Sequence, residues 1–461
     1  MREKRMPGLP WEMVPSIFTL AWPTMLEQLM QTAVQYIDTA MVGALGTQAT
    51  AAVGATSTVN WLIGSTVSAV GVGFLSYVAQ ACGAGDEKRA KRASAQAVLA
   101  TLVCGIFFTA LTLGLSGRIP VWMRTDPAIR ELASRYFFIL YTPMLARTAM
   151  ILFGTLLRAV GDSRTPMRVG LLVNAANVVL NVLLIYPSSR VLGITLPGAG
   201  LGVAGAAAAS AIAFTLGGIC MTAALWRHPR ISPGGEPLRP DREILRPCLR
   251  VAMPNALQRF ATSLGYVAFA AMINSLGEVS AAAHTIANTV ESAFYIPGYG
   301  MQTAAATLAG NALGARDNRR VGDLGKMILF LEVGLMVLSG GALFLFAPGM
   351  MSLFSRDPEV IALGAVVLRM VALSEPFYGV SIIIEGMMQG MGNTLRPFVF
   401  GVSGMWGIRI VGTFLCTQIL GMGLVSAWAC MIAHNLALFV MFLICYLKGS
   451  WNPMNDSQHR K

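Results

Sequence analysis

Charge is what this chain has least of. Only 12% of its 461 residues are Asp, Glu, Lys or Arg, about half the share usual in a soluble domain. With 55% hydrophobic residues and a mean hydropathy of +0.62, that scarcity places it in the membrane class. Histidine is scarcer still, four in all. The seven cysteines (Cys82, Cys104, Cys220, Cys248, Cys416, Cys430 and Cys445) show no CxxC and no Cys/His ligand spacing. Metal chemistry is therefore not expected, and the cysteines read as free thiols in apolar runs. There is no HExxH, no nucleophile elbow and no phosphate loop followed by a basic residue and a hydroxyl, so no enzyme is expected. Gly200, Gly202 and Gly205 match a dinucleotide fingerprint in letters only. No strand precedes them, and close packing of a membrane helix is the better reading. The amino terminus is basic but lacks the short apolar core and cleavage site of a removed leader.

Long apolar runs are what the chain has in quantity. Twelve can be drawn, at 14–45, 52–81, 95–117, 132–157, 167–188, 200–226, 249–276, 283–312, 327–347, 362–390, 397–420 and 424–447. Each is long enough for a span of about 20 residues. Of 34 Lys and Arg, 24 fall on one side of these runs, counting Arg168 and Arg250 at the run edges, and five on the other. The positive-inside rule then predicts cytoplasmic termini and cytoplasmic loops at 83–94, 158–166, 227–248 and 313–326. That distribution accounts for the net charge of +12 without nucleic acid.

The chain repeats itself. A slide of 231 residues aligns Pro23 with Pro254, Leu45-Gly46 with Leu276-Gly277, and Pro166 with Pro397. It also sets Gly83-Ala84-Gly85-Asp86 against Gly314-Ala315-Arg316-Asp317, and Arg158 against Gln389. One offset held over so long a stretch indicates duplication. Six runs separate equivalents, so the fold class is an all-α integral membrane protein. Its twelve helices form two six-helix lobes related by a pseudo-two-fold along the membrane normal. The expected domains are 1–226, a Pro- and Arg-rich cytoplasmic linker at 227–248, 249–447, and a tail at 448–461.

Polar residues inside the runs are the functional candidates, because ionisable groups at membrane depth usually line a path. Glu27, Gln31, Gln35 and Asp38 fall within about 80° of one another on a helix. Their equivalents at the same offset are Gln258, Thr262, Tyr266 and Phe269, so the scaffold does not require an acid at Asp38. Pairing of Asp38 with a buried arginine such as Arg147 is the structural alternative. Asn174, Asn177 and Asn181 share one face of the fifth run, and Ser210 lies in a small-residue helix able to approach them closely. Here helix–helix hydrogen bonding is the bland alternative. In the second half His284, Asn288, Glu291 and Tyr295 form another stripe, with Glu332, Glu375 and Glu385 as further acids.

Together these stretches resemble the multidrug and toxic compound extrusion (MATE) family of secondary transporters. The resemblance rests on PTMLEQLMQTAVQYIDTAMVGALG, on VAQACGAGD with its echo LAGNALGARD, on LLRAVGDSRTPM, on NVVLNVLLI and on GVAGAAAAS. It implies two lobes around a cleft open to one side at a time, and export of organic cations or amphiphiles against H⁺ or Na⁺. It further implies an amino-lobe cation site at Asp38, Asn177, Asn181 and Ser210. Asn181 stands where many members have an aspartate, and Ser210 where threonine is common. The carboxyl-lobe acids of some relatives match Gln258 and Tyr378 here. The expectation is an antiporter of the bacterial inner membrane, with lipid and small molecules as partners. A monomer, no cofactor beyond the coupling ion, and H⁺ rather than Na⁺ complete it, the last because the site holds one carboxylate. A lipid-linked saccharide flippase of the same superfamily and a major-facilitator transporter are the alternatives.

Overall fold

The computed structural model describes residues 10–122, 125–191 and 194–458. Arg2, Lys4, Arg5, Arg124, Arg460 and Lys461 of the charge count lie outside them. The helices are α1 (Val14–Gly43), α2 (Thr47–Gly83), α3 (Glu87–Leu115), α4 (Ile119–Trp122), α5 (Arg130–Tyr141), α6 (Met144–Ala159), α7 (Arg164–Ile185) and α8 (Val203–Arg227). In the second half follow α9 (Arg242–Asn274), α10 (Glu278–Gly314), α11 (Asn318–Ser352), α12 (Pro358–Ala372), α13 (Glu375–Gly390), α14 (Leu395–Val402), α15 (Val411–Thr413), α16 (Leu424–Leu447) and α17 (Pro453–Gln458). Two π-wound stretches, Ser403–Ile410 and Phe414–Ile419, join α14 and α15 into one span. Between α7 and α8 lies a short antiparallel hairpin, β1 (Ser188–Val191) with β2 (Ile194–Pro197).

Eight spans are long and apolar enough to cross a membrane unaided, and two more are bent pairs. The bends are 51° between 127–141 and 144–159, and 53° between 358–372 and 375–390. Helices α1 and α10, of 30 and 37 residues, complete twelve. They are the polar ones, and each carries a proline inside, Pro23 or Pro297, which removes one backbone bond and lets the helix bend. The chain is thus an all-α membrane protein with twelve spans.

The repeat is visible in the elements themselves. α2 and α10, like α6 and α13, begin and end 231 residues apart. Asp86 and Asp317 cap α3 and α11, each accepting the N–H three residues on at 2.9 Å. Beyond the hairpin the offset falls to 221, the distance from Val203 to Leu424, because β1–β2 inserts ten residues into the first half. Left-handed turns repeat with it: Gly46 and Gly277, Gly161 and Gly392, Gly200 and Gly421. The exception is Arg316 (φ 56°), which stands where the first half has Gly85.

By contacts the chain divides into two units, Leu26–Val78 with Asp86–Cys248, and Met1–Met25 with Ala79–Gly85 and Leu249–Lys461. The division runs through α1 and α2, whereas the sequence suggests a cut at the linker alone. Within the first unit the linker is fastened to α3: Arg92 pairs with Asp241, Gln96 Nε2 donates to Arg239 O (2.7 Å), and the Asp241 N–H donates to Gln96 Oε1 (3.0 Å). α8 meets α7 closely because it is built of Gly and Ala. A Cβ at Gly205 would lie 2.4 Å from Leu184 O, so only glycine permits this approach. That supports the packing reading at Gly205, whereas Gly200 and Gly202 serve the preceding turn at positive φ.

Candidate functional site

Asp38 lies in the last third of α1, half-buried. The end of α1 is held on α7 by Tyr186 Oη, which donates to Met41 O at 2.7 Å, and by an apolar cluster of Val42, Ile185, Val203 and Ala206. This docking faces Asp38 towards α7, where Asn177 and Asn181 stand one turn apart, both buried. Asn181 Nδ2 donates to Asp38 Oδ1 and, at 3.1 Å, to Asn177 Oδ1. Ser210 on α8 completes the set, its Oγ 3.0 Å from the Asn177 amide. All four residues singled out in the sequence come together within one unit.

Turned so that its nitrogen faces Asp38, the Asn177 amide satisfies both of its neighbours. The nitrogen donates to the Asp38 oxygens at 2.8 and 3.2 Å while the oxygen accepts from Ser210 Oγ at 3.0 Å. With Asn181 Nδ2 also donating to Asp38 Oδ1, two amides serve the one carboxylate.

Arg147 does not neutralise Asp38 by an ion pair. Its Nη1 donates to Asn60 Oδ1 at 2.8 Å, which also accepts from Tyr141 Oη at 2.8 Å, and its guanidinium lies over Tyr141 and Phe214. Glu27 stands apart from the Asp38 set. It pairs with Arg158 at the end of α6 (2.6 Å) and rests against Gly170 of α7. Gln31 and Gln35, between them on α1, are exposed, and Asn174 is half-buried.

The second unit repeats the scaffold with different chemistry. Gln258 and Gln389 both donate to Glu385 Oε1, at 2.9 and 3.0 Å, and Gln258 rests against Gly401. These are the counterparts of Glu27, Arg158 and Gly170. His284 makes edge contacts with Phe269 and Trp428. Glu291 is buried and Asn288 exposed, and both His284 and Glu291 lie within electrostatic reach of Arg409. Arg409 is buried with its guanidinium 4.1 Å from the Phe269 ring and 4.8 Å from the Tyr266 ring, so a cation occupies the region that Asp38's counterpart borders. Sequence reasoning missed Arg158 and Arg409 as site residues. For Arg158 a signal existed: at one offset the pair Glu27 and Arg158 becomes Gln258 and Gln389, so charge disappears from both positions together.

Among the described residues no group of three His, Cys, Asp or Glu could hold a metal ion. Among the described residues no cysteine is in a disulfide.

The family model MatE matches residues 23–183 and again 254–415, with starts 231 residues apart. A probable multidrug resistance protein NorM of Thermotoga maritima is 28% identical over 447 residues, covering 96% of this chain and 95% of that protein. One from Neisseria meningitidis serogroup B is 25% identical over 421 residues, covering 90% of each. A solved outward-facing multidrug resistance MATE transporter superposes with a TM-score of 0.86 at 22% identity, covering 95% of this chain and 96% of that one. These matches set aside the major-facilitator alternative. The double match to the family model, over well more than half of the sequence, shows that this chain belongs to the MatE family, the MATE membrane transporters.

Proposed function

We propose that this protein is a multidrug efflux antiporter of the bacterial inner membrane, exporting organic cations or amphipathic molecules by alternating access, with H⁺ as coupling ion and Asp38 as its carrier. The observation that carries the reading is that Asp38 is the one carboxylate of the cluster, with amide donors from Asn177 and Asn181 directed at it. Those donors steady the ionised form, and a single proton neutralises it. A sodium ion would have to exchange its water shell for several oxygens, and a second carboxylate to help hold it is missing at Asn181. A proton needs only one oxygen.

When Asp38 is ionised it attracts a cationic substrate. When it is protonated that attraction disappears and the hydrogen bonds to α7 change partners. Drug and proton then exclude each other, and the exclusion is reciprocal. Cytoplasmic termini and a monomeric working unit belong to the same proposal, supported by the charge distribution and by a site complete within one chain. The test is uptake of a fluorescent organic cation into everted vesicles, with pH and Na⁺ gradients imposed separately. A pH gradient alone should drive transport. Transport driven by Na⁺ alone, and unaffected by collapse of the pH gradient, overturns proton coupling.

A further inference from the structure

Away from Asp38, the unit containing residues 249–461 encloses an acid whose carboxyl has no hydrogen-bond partner. Glu332, in the middle of α11, has no exposed surface, and neither of its carboxyl oxygens has a hydrogen-bond partner. Its place is built for it. Cβ atoms at Gly298 on α10 and Gly379 on α13 would come within 2.7 and 3.1 Å of Glu332 Oε1, so two glycines on two helices clear the space that the carboxyl fills. Glu375, also buried and with Oε2 unpartnered, lies one turn before Gly379 on the same face of α13. It opens α13 at the bent junction with α12.

Of the other titratable groups on the helices packed here, Tyr295 on α10 lies within electrostatic reach of Glu375, and His434 on α16 is buried with neither ring nitrogen partnered. Glu291 on α10 lies seven residues before Gly298 on the same face, within electrostatic reach of Glu375 and of Arg409. Glu385 is held by Gln258 and Gln389. Arg369 on α12 donates to Phe344 O and lies over the Phe344 ring. No basic group pairs with Glu332 or Glu375 among the described residues. Tyr299 and Tyr378, 3.0 Å apart between hydroxyls, stand near Glu385 at the far end of the same seam.

A bare carboxylate in so apolar an enclosure is far costlier than a neutral acid. A metal ion would need ligands that are not grouped here. We propose that Glu332, with Glu375 as its exchange partner, is a second proton-binding site, loaded and emptied once in each transport cycle. The O–H bond is the one bond made and broken, and the proton passes between Glu332 and Glu375. Glu375 opens a helix whose N–H groups favour an anion. The inference rests on the antiport reading but adds a countable consequence. One proton exchanged for one singly charged cation moves no net charge, whereas two protons move one.

The experiment is uptake of a permanently monovalent cation into proteoliposomes, with the membrane potential clamped by potassium and valinomycin and the pH gradient set independently. In the wild type both the pH gradient and the potential should drive transport. Glu332→Gln and, separately, Glu375→Gln should keep pH-driven transport and lose the response to potential. A wild type insensitive to potential, or a Glu332→Gln protein that keeps its sensitivity, overturns the second site. Absence of pH-driven transport in the wild type would instead strike the antiport reading. Should both variants fail to fold, a proton-to-substrate ratio of one, measured on the wild-type protein, overturns the proposal equally well.

Discussion

The two halves of this protein share a scaffold and differ in chemistry. At one end of the repeat the first half sets an ion pair, Glu27 with Arg158, against Gly170. The second half sets a carboxylate between two glutamines, Gln258 and Gln389 around Glu385, against Gly401. Deeper in the fold, Asp38 with its two amides is answered by Phe269 beneath Arg409. What is common to both is glycine, capping aspartate and helix break; what differs is the ionisable groups inside these spans. The backbone is fixed by close approach and by turns, which tolerate few residues. The polar positions are held by partners that can be exchanged in sets. That freedom allows each half to carry a different set of ionisable groups on the same scaffold.

The largest effect that follows is at Asp38. Asp38→Asn should abolish coupled export while the purified protein melts as the wild type does, because the second half shows that the position accepts a neutral residue. Near-normal export in the variant would break the comparison. Next comes the ion pair, both members of which are mostly buried. Glu27→Gln or Arg158→Gln alone leaves a buried charge without its partner and should cost about 3 kcal/mol of stability. The double variant recreates the glutamine pair of the other half and should recover most of that loss in a thermal melt. A double variant no better than the sum of the singles would show that the two positions act independently.

Glu385→Gln should matter less, slowing transport by less than about tenfold, or 1.4 kcal/mol in barrier. A complete loss would move coupling into the second half. Smallest is Arg316→Gly, which restores the residue found at the equivalent Gly85. Arg316 holds a positive φ that costs an ordinary residue about 1 kcal/mol, so the melting midpoint should rise slightly.

The scaffold was legible in the sequence because the same local signals occur twice. The offset of 231 and the positions of the polar runs need no long-range information. The Asp38 set was legible too, since asparagines one turn apart on an apolar helix must find partners inside the bundle. Partner choice was not. Arg158 is 131 residues from Glu27, and nothing local tells whether Arg147 binds Asp38 or Asn60. Nor does composition reveal the π winding between Ser403 and Ile419, which distinguishes that span from the regular α7. The isolation of Glu332 depends on two glycines from two other helices, and so appears only once those helices are packed.

Proton release bears most directly on Asp38. Purified protein in lightly buffered, Na⁺-free solution is mixed with a cationic substrate while pH is followed. Wild-type protein should release protons on binding, and Asp38→Asn should release fewer. No release from the wild type, with Na⁺ alone displacing the bound substrate and Asp38→Asn abolishing that displacement, would contradict proton coupling at this carboxylate.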